Sequence, residues 1–171
     1  MGEDVIYMVT RWHLLRLPVR VQGRPRHWTL VQEVVVDWRS MTVEGFVLES
    51  SPFRTLFLPS QTGVRVTPTG VEILTRALVE KRTRRWRRER IHNDWICRRR
   101  QVYDGKGGVV GLLKDLVIDE ETLVVRRIIV SRGLLADLLH GSLIVPVEQI
   151  DQDAAGQIKM RQPGAGYQGT P

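Results

Sequence analysis

The chain has 171 residues, of which 42% are hydrophobic and 26% charged, and its formal net charge is +7. That composition belongs to a globular protein of one ordinary domain or two small ones. The single cysteine, Cys97, excludes an intramolecular disulfide, and no apolar run nears the roughly 20 residues that span a bilayer. The first ten residues carry Glu3 and Asp4 and lack the basic stretch and apolar run of a secretory leader, so the expected location is the cytoplasm.

In chain order, the first recognisable element is the apolar run Leu30 to Asp37, followed by Met41 to Leu48. Shifted by 82 residues, these two runs lie over Leu112 to Asp119 and Leu123 to Val130. Apolar residues meet apolar residues throughout, Trp38 aside, although few positions are identical. Gly23 meets Gly105 at the same shift, and Pro59 meets Pro146 after a small length difference. Low identity with a matched apolar pattern is what two copies of one fold produce, because burial constrains core positions and leaves surface positions free. The repeat puts Val35 with Val117 and Val43 with Val125, and it predicts that these valines, together with Ile129, lie in the core.

Between the copies runs a basic segment. Residues 74–100 hold eleven Lys/Arg and three Asp/Glu, whereas residues 1–73 carry a net +1 and residues 101–171 a net −2. The excess charge therefore belongs to this connection and not to either copy. Leu74, Leu78 and Trp86 fall on multiples of four, and no Gly or Pro stands between Val71 and Arg90, so the spacing predicts an amphipathic helix from Val71 to about Arg90. His92-Asn93-Asp94 reads as a break.

The second copy reads as short strands. Asp104-Gly105 and Gly107-Gly108 supply turn residues before the run to Asp119, and Asp119-Glu120-Glu121-Thr122 is a turn cluster before Ile128-Ile129-Val130. Arg132 to Gly141 is an apolar connection with room for one helical turn. Leu143-Ile144-Val145 ends at Pro146, which suits a strand end because it has no N–H for a ladder. Asp153-Ala154-Ala155-Gly156 turns the chain into Gln157 to Met160, and residues 161–171, rich in Gly and Pro, read as a disordered tail. Five or six short strands with regular turns point to a small barrel.

Gln101-Val102-Tyr103-Asp104-Gly105, then Gly111-Leu112-Leu113-Lys114-Asp115-Leu116-Val117-Ile118-Asp119, then the strand to Ser131 and Ile144-Val145-Pro146 resemble the PRC-barrel family. The likeness covers residues 98–160 well and residues 14–73 mainly through the repeat. It departs from the family at Leu123, where a glycine is common, and at the apolar connection 132–141. The resemblance implies an all-β fold of two tandem small PRC-type β-barrels joined by the basic, helix-patterned linker. Residues 1–73 are then a divergent barrel, 74–97 the linker and 98–160 the second barrel. Relatives include the cytoplasmic domain of the photosynthetic reaction-centre H subunit and the C-terminal domain of ribosome-maturation factors. The family implies docking on partners and brings no catalytic residues.

Motifs for chemistry are sparse. Gly105-Lys106-Gly107-Gly108 lacks the Lys-Ser/Thr ending of a phosphate loop and reads as a turn. His13, His27, His92 and His140 show no ligand spacing to one another or to Cys97, so no metal and no cofactor are expected. Asp37 and Asp119 are equivalent, as are Glu33 and Asp115, and a turn role for the aspartates outweighs acid–base work. The one cluster that stands out is Arg82, Arg84, Arg85, Trp86, Arg87, Arg88 and Arg90. These arginines are placed to meet phosphates or another anion while Trp86 stacks on a base. The competing reading is a solvated segment with Trp86 packed inside, since 22 Arg against four Lys also follows from a GC-rich genome. The expected function is a non-enzymatic adaptor that docks protein partners or itself. The alternative is RNA or ribosome association through the arginines.

Overall fold

The computed structural model describes residues 7–24, 26–50, 54–60, 63–83, 85–89, 100–152 and 157–161. Its elements are β1 (Met8–Thr10), α1 (Arg11–Leu14), β2 (Pro18–Val21), β3 (His27–Asp37), β4 (Thr42–Leu48), β5 (Thr55–Pro59), β6 (Val64–Thr67), β7 (Gly70–Ile73) and β8 (Glu80–Arg82). A short helix α2 covers residues 85–89. Then come β9 (Gln101–Tyr103), β10 (Val109–Asp119), β11 (Val125–Ser131), α3 (Leu134–His140), β12 (Leu143–Pro146), β13 (Ile150–Gln152) and β14 (Ile158–Met160). The fold is all-β, as the short β-branched runs predict.

The strands form two sheets, β6-β7-β2-β3-β4-β5-β8 and β13-β14-β9-β10-β11-β12, and β1 pairs with β10. Matched strand by strand, β6-β7-β2-β3-β4-β5 and β13-β14-β9-β10-β11-β12 are the same order. Each has one parallel pair at the same place, β2 with β7 and β9 with β14. Strands β3 and β10 keep the 82-residue shift end to end and carry a bulge at the same position. Val19 faces Thr29 and then Arg20 faces His27, as Val102 faces Gly111 and then Tyr103 faces Val109. A shared bulge is specific, because it sets where a strand bends and which face its side chains take. The two sheets thus share a strand order, a parallel pair and a bulge.

The chain divides into two compact units, residues 1–95 with 116–126, and residues 96–115 with 127–171. The tip of the β10–β11 hairpin thus belongs to the first unit, where β1 pairs it with Met8 opposite Asp119 and Thr10 opposite Val117. Phe46, Leu48, Leu58, Val19 and Val71 are fully buried in the first unit, and Ile128, Val130, Val145, Val102 and Ile158 in the second. Along β4, β5, β11 and β12 the same register recurs. Phe46 pairs with Leu58 and Gly45 with Pro59, as Ile128 pairs with Val145 and Arg127 with Pro146.

Two expectations fail. The helix from Val71 to Arg90 does not form. Val71 and Ile73 point inward as alternate residues of β7, a 3-10 turn covers Arg76–Leu78, and Glu80–Arg82 adds β8 to the free edge of β5. Among the described residues of this span, only 85–89 are α-helical. Leu74 follows the end of β7, Leu78 ends the 3-10 turn and Trp86 lies in α2, so their spacing is coincidental, and Leu74 is exposed. The second failure concerns Val117 and Ile129, which are half-buried, whereas Val35, Val43 and Val125 are buried as expected. Leu116, Ile118, Ile128 and Val130 take the inward positions, so the neighbouring residues fall on the other face.

Candidate functional site

The arginine cluster is built on β8 and α2. Arg82 forms an ion pair with Glu80, and its guanidinium lies 5.5 Å from the Phe57 ring centroid and 5.4 Å from that of Trp86. Thr83 starts the helix, with its hydroxyl oxygen accepting from the Trp86 N–H at 3.1 Å. Arg85 pairs with Glu89 one turn on, at 2.8 Å, and Arg87 donates to Gln32 at 3.0 Å. Arg88 is exposed. Arg84, Arg90, His92 and Cys97 lie outside the described residues. Trp86 packs on Val35, Val47 and Phe57, with its ring 4.8 Å from the Phe57 ring at 60°. The indole is thus a lid on the outer face of its own sheet, and Arg82, Arg85 and Arg87 hold intramolecular partners.

The aspartates singled out in the sequence make turns. Asp37 accepts from the Arg39 N–H at 3.0 Å and the Ser40 hydroxyl at 2.9 Å, and these two bonds hold its carboxyl below the ordinary value. Asp119 does the same with the N–H groups of Glu121 and Thr122, and it also receives Arg126 at 3.0 Å. Burial pushes the Asp119 carboxyl up, but the Thr122 N–H and the Arg126 guanidinium outweigh it, and the net direction is down. Asp104 closes the Gly105–Gly108 turn by accepting from the N–H groups of Lys106 and Gly108. No phosphate cradle forms there.

The two hairpin turns also pair with each other within the first unit. The Val43 N–H donates to Leu123 at 2.9 Å and the Val125 N–H donates to Met41 at 2.8 Å. Met41 and Leu123 sit at equivalent positions with φ of 52° and 56°, the left-handed region where a glycine is easiest.

Sequence reasoning missed two features. Arg11 is buried and forms an ion pair with buried Glu33. Its signal in the sequence was only a carboxylate inside an apolar run, which needs a partner. The other is the outward face of α3: the apolar connection predicts a helical turn, but not that Leu134, Leu135, Leu138 and Leu139 are 74–80% exposed. The opposite side of α3 carries Asp137, whose carboxylate accepts from the Ser131 hydroxyl at 2.7 Å and the Arg132 N–H at 3.0 Å. Those two bonds hold the Asp137 carboxyl below its ordinary value. Lys114 lies 3.7 Å away. Four leucines flanking one aspartate was a readable signal, because Asp137 divides the leucines by helical spacing.

Among the described residues no three His, Cys, Asp or Glu are grouped to hold a metal, and no helix is long and apolar enough to cross a membrane. His13 is exposed, with Nε2 3.0 Å from the Pro68 carbonyl. The strand order β9-β10-β11-β12 with β13 and β14 returning beside β9 coincides in extent with a match to a family model. A PRC-barrel domain is found at residues 98–163. No curated protein matches the chain. Among the described residues of the PRC-barrel domain, α3 carries four exposed leucines.

Proposed function

We propose that the chain is a cytoplasmic, non-enzymatic adaptor made of two tandem PRC-type barrels, with residues 1–73 the divergent copy and 98–160 the other, which docks protein partners. The shared strand order, parallel pair and bulge support the tandem reading. The observation that carries the binding reading is the exposed leucine face of α3, since soluble proteins seldom display so concentrated an apolar patch without a partner. The carboxylates that would serve acid–base chemistry instead make turns or pair with arginines.

The alternative, RNA or ribosome association through Arg82 to Arg90, is favoured by the net +8 on residues 74–100. Packing of Trp86 on Phe57 and Val47 weighs against base stacking. The two readings separate in affinity capture after nuclease treatment, with the parent and an Arg85→Gln/Arg87→Gln/Arg88→Gln variant. The adaptor reading expects the same proteins on both. Loss of the captured set with nuclease as well as with the arginines, and a log–log salt slope of roughly −0.7 per phosphate contact, would carry the RNA reading instead, whereas loss with the arginines alone would point to an acidic protein surface.

A further inference from the structure

The connection from β4 to β5 covers residues 49–54, while its counterpart from β11 to β12 covers residues 132–142. The first sheet makes the same strand pairing across the shorter connection, so α3 is not needed to bring these two strands together. What the insertion adds is a helix turned inside out. Asp137 faces the sheet and is tied to Ser131, to the Arg132 N–H and, at 3.3 Å, to the Ser142 hydroxyl. Gly133 and Gly141 bracket the helix with φ of 109° and 71°. The leucines are therefore held outward by a fixed base, the reverse of an ordinary surface helix.

We propose that α3 is a self-association surface, on which two copies of the chain pack leucine against leucine about a two-fold axis. The proposal rests on the reading of α3 as a docking face and commits its occupant to a second copy. Three observations favour that occupant. Leu134 with Leu138 and Leu135 with Leu139 form two ridges one turn long, and such ridges mesh with the same ridges of an antiparallel copy. The outward side chains bear no formal charge, and the chain's positive excess lies on residues 74–100 while residues 101–171 carry −2. Arg132 and Lys114, the cations beside α3, are held by the Gly141 carbonyl and by Asp137 with Ser142, so the leucine ridges themselves are uncharged. Leucines about three-quarters exposed present on the order of 500 Å² per copy, so two copies bury about 1,000 Å², the lower bound for a specific interface.

Sedimentation of the full chain from about 1 to 200 μM tests this, with a Kd in the micromolar range expected. Leu135→Glu/Leu138→Glu should weaken self-association by about 100-fold or more, with the parent's melting transition retained because these side chains are exposed. Leu134→Ser/Leu139→Ser serves as a milder variant should the first misfold. In a Cys97→Ser background, Leu138→Cys should crosslink into a disulfide dimer under oxidation, and Leu74→Cys should not. A chain that stays monomeric throughout overturns the proposal, as does a dimer indifferent to both leucine pairs. Leucine-dependent flotation of the monomer with phosphatidylglycerol vesicles would overturn it in favour of a lipid surface. A monomer that still captures the same nuclease-resistant proteins sinks the self-association and leaves the adaptor reading standing. A leucine-dependent dimer that captures none supports the self-association and sinks the adaptor.

Discussion

Val35, Val47 and Phe57 of the first sheet and Val117, Ile129 and Ile144 of the second occupy the same register positions. The first three are at most 2% exposed, whereas Ile144 is 47% exposed and the other two are half-buried. The inner faces of the two sheets are alike, with Phe46 and Leu58 in one and Ile128 and Val145 in the other all fully buried. The difference lies outside, where Trp86 covers Phe57 and Val47 in the first sheet. The inner face decides which fold forms. The outer face becomes core or surface according to what the rest of the chain lays over it.

The largest effect that would break this comparison comes from a charge on the outer face. Val47→Asp should abolish the cooperative melt of the first unit, since an unpaired buried carboxylate costs several kcal/mol against a total of about 5 kcal/mol for a small domain. Ile129→Asp, at the equivalent but half-buried position, should keep a cooperative melt and lose about 1–2 kcal/mol. Equal unfolding of both in urea would show that the second outer face is as closed as the first.

Next comes the buried pair. Arg11→Ala leaves Glu33 charged and unpaired, and it should cost about 3–5 kcal/mol. Glu33 has Asp115 as its repeat equivalent, which is half-buried, and Asp115→Asn should cost less than about 1 kcal/mol. Chemical denaturation of the two variants sharpens the contrast, and restoration of Arg11→Met by Glu33→Leu would locate the loss in the unpaired charge.

Trp86→Ala should lower the melting temperature, with a loss of about 2 kcal/mol, below the 3–5 kcal/mol of a fully buried aromatic. Ile144→Ala should cost under about 1 kcal/mol. If Trp86→Ala leaves the melt untouched and weakens RNA binding instead, the lid reading fails.

The hairpin aspartates differ by burial in the same sense, since Asp119 is buried and Asp37 is exposed. Both carboxyls titrate below their ordinary value of 3.8 in the folded chain. Their stabilisation is thus complete above pH 3.8 and disappears as pH falls through the depressed value. Asp119→Asn should cost about 1–2 kcal/mol at neutral pH, with the gap to the parent closing below about pH 4. Asp37→Asn should show a smaller gap. An Asp119→Asn deficit that is constant from pH 7 to 3 would mean that charge has no part in it.

Much of this was legible in the sequence. The strands β10 to β12, the Asp-led turns and the all-β class followed from apolar pattern and turn chemistry, because those are local. The strand β8 was not legible, because Glu-Lys-Arg has no strand propensity of its own and forms only on the ready edge of β5. Arg11 and β1 were not legible either. Both are fixed by partners far along the chain, Glu33 and the β10 end. The Arg82–Arg90 cluster was visible as charge, but its packing on Phe57 through Trp86 depends on which face of β5 lay bare.

The smallest effect tests the equivalence of the two turns at a single backbone position. Met41 and Leu123 hold nearly the same left-handed φ, a conformation that costs a side-chain-bearing residue about 1–2 kcal/mol. Glycine removes that strain but loses more chain entropy, by roughly 0.5–1 kcal/mol. At Met41, which is half-buried, the two terms nearly cancel the modest packing loss, and Met41→Gly should stay within about 0.5 kcal/mol of the parent. Leu123 is 9% exposed, and truncation forfeits most of a leucine's burial, about 1.5–3 kcal/mol. Leu123→Gly should therefore destabilise by about 1 kcal/mol despite the same relief of strain. Equal responses in matched urea titrations would mean that the backbone conformation, and not burial, dominates both turns, and that the two sides of the paired turns are interchangeable.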